Sequence, residues 1–208
     1  AYKEMEEYNE AILVYEKAVE LNPQYYEAYN NLGAVLGKNE QYKEAIEAYK
    51  KALSINPDGF DTFYNMAVTL QDQNKLENAI EAYNNALSIN PNDADIYHNM
   101  GLAFKEQGKL EEAIEAFNKA LLVKPDFYEA YNNMGIVLKY QGKLEEAIEA
   151  FNKALLVKPD FYEAYNNMGI VLKYQGKLEE AIEAFNKAIL VKPDYADAYN
   201  YLGNALKE

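Results

Sequence analysis

Apolar and polar positions along this chain follow the spacing of helices rather than of strands. Around Tyr131, Met134 and Leu138, and again at Leu144, Ala147, Ile148, Phe151 and Leu155, apolar residues recur at intervals of three and four. That spacing puts them on one face of an α-helix, so the pattern predicts helices in pairs. Between the two stretches, Gly142 accepts the left-handed backbone of a tight turn, and Gly108 and Gly176 stand at the same point of other pairs. A proline follows each second stretch and closes that helix. Asp126 and Asp160 directly follow such prolines and are expected to cap the next helix.

The pair recurs. Prolines fall at Pro23, Pro57, Pro91, Pro125, Pro159 and Pro193, a constant step of 34 residues. Residues 108–141 are repeated letter for letter at 142–175, and the next copy departs first at Ile189, where Leu155 stood. Such identity marks a recent duplication or a designed array. In register, 26–59, 60–93, 94–127, 128–161 and 162–195 are whole repeats. Residues 1–25 are expected to give the tail of one first helix and a full second helix, and 196–208 a first helix alone. Ala130, Gly135, Ala147 and Ala154 are small where a neighbouring backbone must come close. One pair cannot cover both of its apolar sides, so residues 1–208 are expected to stack as a single array without separate domains.

Tyr131, Met134, Gly135, Leu138, Ala147, Phe151, Ala154 and Pro159 together resemble the tetratricopeptide repeat signature. The same set returns as Tyr29, Leu32, Gly33, Leu36, Ala45, Tyr49, Ala52 and Pro57, and again from Phe63, Tyr97 and Tyr165, so the resemblance spans the chain. It implies an all-α fold, a right-handed superhelical solenoid of antiparallel helix pairs. It further implies that the first helices line a concave groove for extended peptides or helices of partner proteins. The chain departs from the pattern at Ala67, which replaces a small glycine, and at Glu40 and Asn74, which replace the turn glycine. These last two must accept whatever backbone angles the turns before Gln41 and Lys75 require.

Composition narrows the function. Half the residues are hydrophobic and 26% charged, as in ordinary folded proteins. The formal net charge of -14, with lysines scattered singly, repels phosphate backbones, so nucleic acid is not expected as a partner. The longest apolar runs are far shorter than the roughly 20 residues that cross a bilayer, and no membrane partner is expected. The chain begins with Ala1 and shows no targeting segment, which reads as a fragment; its compartment stays open, with the cytoplasm favoured.

Catalytic chemistry has little to stand on. Cysteine is absent, and His98 is the single histidine, too few ligands for an ordinary zinc site. There is no phosphate-binding glycine loop and no nucleophile elbow, so neither an enzyme nor a cofactor is expected. Carboxylate pairs such as Glu145 and Glu146 fall opposite the apolar face and read as solvated surface. The acidic series Glu27, Asp61, Asp95, Glu129 and Glu163 near the first-helix starts suits the helix dipole.

Asn31, Asn65, Asn99, Asn133 and Asn167 hold one equivalent site on five successive first helices. A carboxamide both donates and accepts, so such a ladder can pair with peptide backbone regardless of ligand sequence. The same residues can instead hold helix to helix within the stack. Tyr64, Tyr140 and Tyr174, with Lys105, Lys139 and Lys173 beside them, are further candidates for the groove. The Asn pattern resembles the repeat region of protein O-linked N-acetylglucosamine transferases, which implies asparagines lining a groove for substrate peptides. The expectation is therefore a noncatalytic scaffold that binds protein or peptide ligands. Alternatives are the substrate-recognition arm of a larger glycosyltransferase of that type, or an engineered or duplicated array that self-assembles head to tail through its terminal helices.

Overall fold

A computed structural model describes the backbone of residues 2–208 and the side chains of residues 6–208. The described residues form twelve α-helices and no strand. A long first helix, α1 (Tyr2–Leu21), precedes five pairs. These are α2 (Tyr26–Lys38) with α3 (Tyr42–Ile55), α4 (Phe60–Asp72) with α5 (Leu76–Ile89), and α6 (Ala94–Glu106) with α7 (Leu110–Val123). The series continues with α8 (Tyr128–Tyr140) and α9 (Leu144–Val157), then α10 (Tyr162–Tyr174) and α11 (Leu178–Val191), and ends on the single helix α12 (Ala196–Lys207). The helices group into two compact units, residues 1–96 and 97–208. In repeat folds each pair touches only its neighbours, so a long array divides more readily than a globular domain.

The five paired first helices end in the same way. The N–H of Lys143 donates to the Leu138 carbonyl at 3.0 Å, and that of Gly142 to the Lys139 carbonyl at 3.0 Å. This crossed pair satisfies carbonyls the helix leaves open and needs one left-handed residue. Gly108, Gly142 and Gly176 supply it with φ of 74°, 76° and 73°, and Glu40 and Asn74 adopt φ of 60° and 58° in its place. The turn thus keeps its form where glycine is missing. Each second helix ends two residues before a proline, and of the residues between, Asn56, Asn90, Lys158 and Lys192 lie extended, the conformation favoured before proline.

Two expectations need correction. Asp126 and Asp160 do not cap α8 and α10 with their side chains: the capping residues are Phe127 and Phe161, whose carbonyls receive the first N–H groups of each helix. The aspartates sit one residue too early to reach them. Asp93, placed directly before α6, does accept the Ile96 N–H at 3.0 Å. The N-terminal segment is one continuous helix rather than the tail of a first helix turning into a second. Glu6 stands where other repeats carry the turn residue, within a run of good helix formers.

Packing within each pair is set by one ring and one gap. Tyr49, Phe117, Phe151 and Phe185 are buried to 1% exposure or less. A Cβ placed on Gly33, Gly101, Gly135 or Gly169 would stand 2.6 Å from the ring of its own pair. The glycine is thus the slot into which the second helix lays its aromatic. Alanines such as Ala147 and Ala154, with no exposed surface, let the helices approach. In the second unit, Leu138, Ala147, Phe151 and Val171 join neighbouring pairs into one core, and Leu172, Ala181, Phe185 and Ala205 continue it.

Candidate peptide-binding face

Within each unit the first helices touch one another in series, α2 with α4, and α8 with α10 and α10 with α12. Among the described residues the second helices show no comparable contact with one another. First helices therefore form the inner side of each stack, and residues on their free face share one surface.

The ladder asparagines do not stand alone on that surface. Asn65 Nδ2 donates to Asn30 Oδ1 at 3.3 Å, and Asn167 Nδ2 donates to Asn132 Oδ1 at 3.0 Å. Asn133 Nδ2 lies 3.0 Å from His98 Nε2, which accepts when the ring is neutral. Each bond runs from the ladder position of one repeat to the preceding residue type of the repeat before it. The asparagines thus do hold helix to helix. They also remain partly accessible: Asn31 is exposed, while Asn65, Asn99, Asn133 and Asn167 are half-buried. One amide hydrogen of Asn65 and one of Asn167 is committed to the stack, which fixes the carboxamide's orientation.

The acceptors Asn30 and Asn132 were not singled out from sequence, and His98 was weighed there only as a metal ligand. A signal for them exists in the doublets Asn30-Asn31 and Asn132-Asn133, since a polar residue beside each rung supplies the partner for the next. The series stops at α12, where Tyr201 replaces the asparagine and stacks on Phe185 with centroids 5.8 Å apart. Asn166 Oδ1, the acceptor left behind, is buried without a partner.

A second row of bonds lies at the far end of the first helices. Gln141 Nε2 donates to Glu111 at 3.2 Å and Gln175 Nε2 to Glu145 at 3.0 Å. Glu145, read from sequence as plain surface, also ties one repeat to the next.

The tyrosines divide. Tyr140 and Tyr174 are 64% and 72% exposed at equivalent sites of α8 and α10, whereas Tyr64 is half-buried with its ring 6.3 Å from that of Tyr83. Lys105, Lys139 and Lys173 are half-buried beside the exposed pair. A cavity of about 790 Å³ lies in the first unit over Ile46, Phe63 and Met66, between α3 and α5. Among the described residues no three His, Cys, Asp or Glu side chains converge as metal ligands, and no helix is long and apolar enough to cross a membrane.

A sequence profile described as TPR repeat matches residues 1–40, 69–108, 101–142 and 171–208. Two further profiles, each described as tetratricopeptide repeat, match 26–58 and 128–161, and 48–81 and 150–183. The chain belongs to the tetratricopeptide repeat family. Tetratricopeptide repeats generally mediate contacts between proteins and are typically noncatalytic. No curated protein matches the chain significantly. Among solved structures it is similar to YrrB, a TPR protein with an unusual peptide-binding site, at 23% identity and a TM-score of 0.71 over 89% of this chain and 96% of that one. It is also similar to MamA, at 27% identity and 0.74 over 82% and 93%. The third is pilF of Pseudomonas aeruginosa, at 24% and 0.68 over 88% and 90%.

Proposed function

We propose that this tetratricopeptide repeat chain is a noncatalytic scaffold that holds extended segments of partner proteins against its first helices. Asn31 and Asn65 form the rungs in the first unit, and Asn99, Asn133 and Asn167 those in the second. The observation that carries the reading is the bond from each of Asn65, Asn133 and Asn167 back to the preceding repeat. A rung already locked loses little side-chain freedom when a ligand arrives, and Oδ1 of Asn133 and Asn167 is an acceptor suited to a ligand N–H. Each bond contributes about 0.5–1.5 kcal/mol net, so the face needs several rungs and further apolar contact.

The test is a library of immobilised peptides probed with the intact chain and with Asn133→Ala/Asn167→Ala. Loss of two rungs is expected to weaken binding about tenfold across unrelated sequences, a loss of roughly 1.4 kcal/mol. Unchanged binding by the folded variant would make the asparagines purely structural and overturn the site.

A second reading, head-to-tail association of two copies, rests on a different observation. Leu206 of α12 is 66% exposed where Leu36, Leu138 and Leu172 at its equivalent position are 5–6% exposed. Nothing lies over Gly203, the slot that elsewhere receives a ring. Tyr15 of α1, at the ring position of a second helix, is half-buried, and in this reading it enters the slot of another copy. Sedimentation velocity is expected to show mass rising with concentration for the 208-residue chain but not for Leu206→Glu. A monomer throughout sinks this reading.

A further inference from the structure

Lys105, Lys139 and Lys173 occupy one equivalent position near the C-terminal ends of α6, α8 and α10, all in the second unit. Gly37 and Gln71 hold that position in the first unit, so the column of charge belongs to residues 97–208 alone. The three ammonium groups meet different surroundings. Lys173 Nζ holds the carboxylate of Glu208 at 2.7 Å. Lys139 Nζ lies 4.8 Å from the centre of the Tyr140 ring. Burial pulls its pKa below the ordinary lysine value, and no carboxylate offsets that. Lys105 lines, with Leu110, Ile136 and Tyr140, an open cavity of about 470 Å³.

A half-buried ammonium without a counter-charge is unfavourable, and a carboxylate brought to it gains a charge-assisted hydrogen bond. Glu208 demonstrates at Lys173 that a carboxylate reaches this column and pairs directly with it. We propose that the lysine column of the second unit selects acidic segments, pairing ligand carboxylates with Lys105, Lys139 and Lys173 while the cavity beside Lys105 takes an apolar side chain. This deepens, and rests on, the reading of the first helices as a peptide-binding face. Packed helices stand roughly 8–10 Å apart and an extended chain advances about 3.3 Å per residue, so carboxylates at every third ligand position match the column. Glu208 occupies one of the three sites from within the chain, and a ligand must displace it there.

The experiment is fluorescence anisotropy with labelled peptides of four Glu-Ser-Val triplets, and with counterparts carrying Gln or Lys in place of Glu. The Glu probe is expected to bind at least about tenfold more tightly than the Gln probe at low salt, with that advantage shrinking in about 0.5 M salt as the charges are screened. Lys105→Gln/Lys139→Gln removes the preference, so that the Glu and Gln probes bind alike. Glu208→Gln tightens the Glu probe about two- to threefold and leaves the Gln probe alone. Asn133→Ala/Asn167→Ala weakens both probes equally, which reports on the peptide face itself. Equal affinity for the Glu and Gln probes, or tighter binding of the Lys probe, overturns the acidic selectivity while the peptide face stands. No binding of any probe overturns both.

Discussion

Glu40 and Asn74 hold φ of 60° and 58° at turns where three other repeats use glycine. A side chain with a Cβ loses roughly 1–2 kcal/mol in that conformation, and asparagine less than glutamate. Glycine regains most of this but costs more unfolded-chain entropy. Glu40→Gly is therefore expected to stabilise the first unit by about 0.5–1 kcal/mol in denaturant unfolding, and Asn74→Gly by less. The converse change, Gly142→Ala, destabilises by about 1 kcal/mol although nothing lies within 4 Å of its Cβ position, because the backbone alone resists it. Tyr49 offers a pH test at the same scale. Its phenol is pushed up to about 12 by burial, an effect that its contact with Thr69 at 3.4 Å opposes only in part. An unfolded tyrosine ionises near 10, so between those values the unfolded state has released a proton that the folded state keeps. Stability is full below pH 10 and falls as pH rises toward 12, by about 2–3 kcal/mol in all. Tyr49→Phe, which places at this site the residue found at Phe117, Phe151 and Phe185, is expected to flatten that slope relative to the parent chain in unfolding experiments from pH 9 to about pH 11.5.

Between elements, the ring-and-slot contact and the inter-repeat amides separate what packing requires from what it tolerates. Gly135→Ala puts a Cβ 2.6 Å from the Phe151 ring, which must shift in a closed core, and about 1–3 kcal/mol of destabilisation is expected. Gly203→Ala meets open space in α12 and should instead stabilise by up to about 1 kcal/mol through helix propensity. Paired thermal melts that ranked the two variants alike would refute the slot. Among the amides, Asn132 accepts from Asn167, whereas Asn166 Oδ1 is buried with no donor because Tyr201 stands in the next rung. Asn132→Ala is thus expected to destabilise by about 1 kcal/mol more than Asn166→Ala. Much of this was legible in the sequence. The ring, the slot glycine and the closing proline are fixed by residue type at constant spacing, and so were visible as a pattern. The acceptors Asn30, His98 and Asn132 were not, because which neighbour a carboxamide meets depends on the offset between stacked helices. Asp126 misled for a similar reason: its residue type suits a cap, yet one residue of phase decides whether its oxygen reaches the helix.

For the whole molecule, charge and connectivity set how stability is distributed. The ion pairs Lys119 with Glu115, Lys153 with Glu149 and Lys187 with Glu183 are exposed and add little, so a net charge of -14 is left to act as self-repulsion. Stability in such a stack is a sum of repeat and neighbour terms, so helices with fewer neighbours open first. In the second unit α12 packs chiefly on α11 among the described residues, touches α10 more lightly and leaves Leu206 exposed, whereas α9 is enclosed by α8 and α10. Native-state hydrogen exchange should therefore find the amides of α12 opening at a lower free energy than those of α9. Leu206→Ala should change that gap little, because the side chain it shortens is largely in solvent. Phe151→Ala removes a fully buried ring at a cost of about 3–5 kcal/mol and should bring α9 down toward α12. Equal protection of α9 and α12 in the parent chain would mean that residues 97–208 open only as a block, and the nearest-neighbour account of this stack would fail.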